Sequence, residues 1–108
     1  MQNPLPLRLK TARKKAGLTQ QQLGMRLGME QSSASARMNQ YEKGKHAPDY
    51  QTMQLIAAEL GLPVAYFYCD DELLAELICA ISTLKKEEQE LLLKKICEDN
   101  SDNKTIGI

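Results

Sequence analysis

Apolar residues recur along the chain at intervals of three and four, the spacing that gathers side chains on one face of an α-helix. Nowhere do they alternate with polar residues over the length of a strand, so the pattern predicts an all-α protein. Leu5, Leu9 and Ala12 or Ala16 form a first stripe over about residues 5–16. Gly17 closes it, because glycine readily takes the left-handed conformation that ends a helix. Thr19 stands three residues before Gln22, the spacing of a capping box. It opens a short second helix over about 20–27, with Leu23 and Leu27 inward and Gly28 as the stop. Between Met29 and Gly44, Ala34, Met38 and Tyr41 fall at i, i+4 and i+7, which predicts a third helix with those three buried. Met53, Ile56, Ala57 and Leu60 mark a fourth, after Pro48 and before Gly61. Pro63 can start a short fifth helix carrying Val64, Phe67 and Tyr68.

By about residue 68 these helices have enough apolar faces to close one core. Beyond it, Asp70 or Asp71 can cap a sixth helix with the wide stripe Leu74, Leu77, Ile78 and Ile81. A seventh follows over Lys86–Cys97 with Leu92, Leu93 and Ile96. The expected organisation is a five-helix domain over residues 5–68, a helical segment over 69–98 and a flexible polar tail over 99–108. The second segment carries too many leucines and isoleucines for a passive linker, and dimerisation is the role that uses them.

Charge changes this picture, although the 108 residues sum to zero. Residues 1–50 hold nine Lys and Arg against three acids, a surplus of six, and residues 51–108 hold five lysines against eleven acids, a deficit of six. The first half can therefore face a polyanion while the second faces away. No apolar run reaches the roughly 20 residues that span a bilayer, and Met1-Gln2-Asn3-Pro4 does not open a signal peptide. The expectation is a cytoplasmic protein, nucleoid-associated if it binds DNA. Cys69, Cys79 and Cys97 form no CxxC pair, and His46 is the one histidine. That inventory predicts free thiols, no metal and no cofactor. It also offers no Ser/His/Asp set and no phosphate-cradling glycine loop, which argues against an enzyme.

Two short helices about a tight glycine-containing turn, in a basic half, outline a helix-turn-helix. The stretch Arg8-Leu9-Lys10-Thr11-Ala12-Arg13-Lys14-Lys15-Ala16-Gly17-Leu18-Thr19-Gln20-Gln21-Gln22-Leu23 resembles the opening of the lambda repressor/Cro-like (XRE-type) family. Tyr41-Glu42-Lys43-Gly44-Lys45-His46-Ala47-Pro48 and Leu55-Ile56-Ala57-Ala58-Glu59-Leu60-Gly61 are similar to its third and fourth helices. The resemblance covers about residues 5–68. It implies a five-helix lambda-repressor-like domain that binds double-stranded DNA; the leucine-rich residues 69–98 beyond it remain, on their own pattern, the C-terminal helical dimerisation segment.

In the family the glutamate of helix three lies about ten residues after the glycine that ends helix two, whereas Gly28 and Glu42 are fourteen apart. The four extra residues either lengthen the third helix or lengthen the turn. Counting back from Glu42, the family's base-reading positions fall on Ser35, Ala36, Arg37, Asn39 and Gln40. A helical wheel with Ala34, Met38 and Tyr41 inward independently turns Ser32, Ala36, Asn39 and Lys43 outward, flanked by Ser33, Arg37 and Gln40. These types suit a base edge: Arg37 can donate twice to guanine, Asn39 or Gln40 can bracket adenine, and Ala36 can pack on a thymine methyl. The resemblance further implies phosphate contacts from Gln20, Lys43, Lys45 and His46. It implies a structural pair, Arg13 with Glu42, and a close helix approach at Gly24. The function it implies is a transcriptional regulator, a repressor that binds a palindromic operator as a homodimer. The alternative is the antitoxin of a toxin–antitoxin pair, with residues 69–98 binding a partner protein. RNA binding is disfavoured by the lack of exposed aromatic stacking residues.

Overall fold

Ahead of the first helix, Asn3 accepts the Leu5 amide on its side-chain oxygen at 3.0 Å. In the computed structural model, which describes residues 3–100, the helices are α1 (Leu5–Lys15), α2 (Gln20–Arg26), α3 (Gln31–Glu42), α4 (Tyr50–Leu60), α5 (Val64–Tyr68), α6 (Glu72–Ser82) and α7 (Lys86–Asp99), and no strand occurs among the described residues. The polar tail expected over 99–108 lies, from residue 101, outside the described residues.

The stripes read from the sequence meet in one core. Leu5, Leu9 and Ala12 of α1 pack with Leu23, Met38, Met53, Ile56, Ala57 and Phe67, all buried. Each large side chain among them contributes roughly 1.5–3 kcal/mol by leaving water. Ala12 rather than Ala16 completes the first stripe, and Ala16 is exposed. Tyr41 is half-buried and the carboxylate of Glu42 takes the deeper place beside Met38. Asp49 caps α4 by accepting the Thr52 amide at 2.8 Å. Gly61 ends that helix at φ 67°, a left-handed conformation that strains any other L-residue.

α6 begins at Asp71, which accepts the Leu74 amide at 2.7 Å. Its expected stripe is divided: Ala75 is its one buried residue, Ile78 and Ile81 are half-buried, and Leu74 and Leu77 are exposed with Leu73, which is 66 % exposed. α7 has no buried residue, and its Leu91 is 69 % exposed. The Gln89 side chain donates to the Ile81 carbonyl at 2.9 Å, joining α7 to the end of α6. The molecule is elongated, 57 × 31 × 22 Å.

Two cations counted in the basic half are not available to a polyanion. Arg13 is buried against Glu42. Arg8, only 7 % exposed, donates from Nε to the Cys69 carbonyl at 2.7 Å and pairs with Glu72 at 3.3 Å. Cys69, Cys79 and Cys97 are free and half-buried, and burial pushes the Cys79 thiol above its ordinary pKa. Among the described residues no helix is long and apolar enough to cross a membrane, and no His, Cys, Asp or Glu cluster could hold a metal ion.

Candidate nucleic-acid interface

The local chemistry that starts α2 is reciprocal. Thr19 Oγ1 accepts the Gln22 amide at 3.0 Å while Gln22 Oε1 accepts the Thr19 amide at 2.9 Å, the capping box that the spacing predicts. The box puts Gln20 at the first position of α2, where free amides and the helix dipole make a positive end. The turn to α3 occupies only residues 27–30, with the Gly28 amide bonded to Met25 and the Met29 amide to Gly24. The turn is short and α3 runs for 12 residues, so the four extra residues lengthen the helix.

Gly24 is where α2 and α3 touch. A Cβ built there would lie 2.8 Å from Ala34 Cβ and 3.1 Å from its Cα and carbonyl oxygen, too close for any side chain without moving backbone. The absent side chain offsets glycine's poor helix propensity by allowing the approach.

Against that seat α3 presents Gln31, Ser32, Ser35, Ala36, Arg37, Asn39 and Gln40 exposed, with Ala34 and Met38 fully buried beneath. Ser33 is half-buried, and its hydroxyl donates to the Glu30 carbonyl at 3.4 Å, a long contact. At 100° per residue Ala36 and Gln40 face directly away from Met38. Ser35 and Asn39 turn toward the start of α2, and Arg37 lies on the opposite flank. Lys43, Lys45 and His46 are exposed on the turn that follows, which folds back as the Lys45 amide donates to the Gln40 carbonyl at 2.9 Å.

Below this face lies a polar network. Arg13 donates from Nε and Nη2 to the two oxygens of Glu42 at 2.6 and 3.0 Å, and from Nη1 to the Leu18 carbonyl at 2.9 Å. The Glu42 bond, against the opposing effect of burial, raises the Arg13 pKa above its ordinary value. The pair joins α1 to the end of α3. Gln20 is drawn into the same network: its amide donates to Glu42 Oε1 and to Asn39 Oδ1, each at 3.2 Å, and its oxygen accepts from Ser35 at 3.4 Å. A cleft beside it is lined by Asn3, Lys10, Gln20, Asn39 and Lys43. Lys10 was legible in the sequence only as a charge. Its place three residues before Arg13, and so on the same side of α1, is the signal that locates it.

A family model of helix-turn-helix domains matches residues 9–67. Among solved structures, the crystal structure of the transcriptional regulator BswR is 46 % identical, covers 91 % of this chain and 97 % of that one, and superposes with a TM-score of 0.83. No curated protein matches the chain at comparable stringency.

Proposed function

Because the chain belongs to the XRE-type helix-turn-helix family, we propose that it is a repressor that binds a palindromic operator as a homodimer. DNA binding in transcriptional regulation, rather than catalysis, follows from the family. The single observation that carries the finer reading is the exposed polar face of α3, set on the buried Ala34 and Met38. A helix of this kind enters the major groove, and Ser33, Ser35, Ala36, Arg37, Asn39 and Gln40 are the proposed base-reading set. Gln20, Lys43, Lys45 and His46 are the proposed phosphate contacts, and they fix register without reading sequence.

Two supports favour a homodimer. One such domain meets too few bases for useful specificity among genomic competitors. Leu73, Leu74 and Leu77 of α6 and Leu91 and Leu93 of α7, outside the proposed domain 5–68 and within the proposed dimerisation segment 69–98, are left in water by a single chain, where a second copy would cover them. Occupying the operator is then enough to block transcription, and the protein is expected on the nucleoid. The similarity to a transcriptional regulator over nearly the whole chain supports the same reading.

Selection from random duplex DNA tests it, with Arg37→Ala and Lys45→Ala compared on the selected site. The wild type should enrich a two-fold symmetric site. Arg37→Ala should weaken that site by roughly 1–3 kcal/mol and flatten preference at one base pair per half-site, while Lys45→Ala weakens all sequences alike. Equal losses on operator and random DNA for both variants would make Arg37 a phosphate contact and move base reading toward Ser33, Ala36 and Gln40. An asymmetric single half-site would sink the homodimer.

A further inference from the structure

Only residues 69–71 connect α5 to α6, and a connection that short can still pivot unless something holds it. Arg8 holds it from the second turn of α1. Its Nε donates to the Cys69 carbonyl inside the connection at 2.7 Å, its Nη2 pairs with Glu72 in the first turn of α6 at 3.3 Å, and its guanidinium lies over the Tyr66 ring of α5, 5.2 Å from the centroid. One planar side chain thus touches α5, the connection and α6 at once, a geometry a lysine ammonium cannot reproduce. Ala75, the buried residue of α6, lies one turn beyond Glu72, while Leu73, Leu74 and Leu77 remain exposed. Swinging α6 away would strand a buried cation from its carbonyl and carboxylate. Lys10, two residues on from Arg8 and so about 200° round α1, lines the cleft beside Gln20 and Asn39. One helix therefore touches both the DNA-reading side and the base of α6.

We propose that Arg8 is a positioning residue that clamps the α5–α6 connection to α1, fixes the angle of the α6–α7 segment to the DNA-reading domain, and so sets which half-site spacing the protein accepts. The inference rests on the homodimer reading. Each added base pair displaces the second half-site by about 3.4 Å and turns it by about 35°. A rigid segment rejects such a displacement, and a hinged one follows it.

The test uses the full-length protein, Arg8→Gln, Arg8→Lys and Glu72→Lys, on duplexes carrying two copies of the selected half-site at varied separations. Ultracentrifugation and circular dichroism are run alongside. The wild type should favour one separation by about tenfold over those one base pair longer or shorter, and the variants should reduce that preference to about threefold or less. Affinity for a single half-site and the dimeric mass should hold in all of them. Arg8→Lys should fail to restore the preference, because charge without the planar fork does not reach three elements. Glu72 has a side chain 83 % exposed, so Glu72→Lys sets a cation against Arg8 without touching the core and carries the test even if Arg8→Gln does not fold. A monomeric wild type would overturn the homodimer reading. Folded, dimeric variants that keep the wild-type spacing profile would overturn the role of Arg8 and leave the homodimer standing.

Discussion

At Glu42 one carboxylate accepts two hydrogen bonds from Arg13 and a third from Gln20. The fork between Arg13 and Glu42 is almost free of water, with side chains 10 % and 2 % exposed, so losing one partner leaves a charge with neither solvent nor counterion. Glu42→Ala should therefore destabilise the fold by about 3 kcal/mol, a fall of roughly 10–20 °C in melting temperature for a chain of this size. Its effect on base preference should be smaller, since Glu42 faces inward. Melting and DNA titration on one preparation check this, and an unchanged melting temperature would remove the pair from the architecture. The same network sets the polarity of its neighbours. Glu42 can only accept, so the Gln20 amide nitrogen must face it, and that nitrogen also donates to the Asn39 oxygen.

The helices owe their boundaries to short-range chemistry, and the cap of α4 gives a pH-dependent example. Hydrogen bonds from the Thr52 backbone and side chain hold Asp49 below its ordinary value of 3.8. A carboxylate with a folded pKa below its unfolded one contributes stability above the unfolded pKa and loses it as pH falls toward the folded one. Asparagine caps comparably but does not titrate. Wild type should thus melt above Asp49→Asn at neutral pH, and the gap should close between about pH 5 and pH 3. Thermal melts of the two proteins across that range measure it, and a constant gap would show that the charge on Asp49 plays no part. α2 and α3 are governed differently, since their seat depends on an absent side chain at Gly24.

Across the whole molecule the proposed division falls just past Phe67, the last residue of the main core cluster. A fragment of residues 1–68 should fold, because that cluster is complete within it, and should sediment as a monomer, because it lacks the exposed leucines of α6 and α7. It should also melt below the full chain by the equivalent of about 1–3 kcal/mol, since Arg8 loses both the Cys69 carbonyl and Glu72. Sedimentation and calorimetry decide. A dimeric fragment would put the interface within residues 1–68, and an unfolded one would make α6 part of the core.

What the sequence determined alone is what neighbours three or four residues apart control. The helix stripes, the Thr19 capping box, the glycine stops and the outward arc of α3 are all set by local periodicity and hydrogen bonding, and the motifs on them were enough to identify the family. What only the tertiary structure decided depends on partners far along the chain. Whether the four extra residues enter helix or turn depends on how closely α2 and α3 pack at Gly24 and Ala34. Which cations remain free depends on Arg13 meeting Glu42 29 residues away, and on Arg8 meeting Cys69 61 residues away. A stripe of α6 leucines reads the same whether it faces a core or water. Its direction is set by Ala75 and Arg8 packing on one side of the helix, because the burial of a side chain is a property of the surface that reaches it.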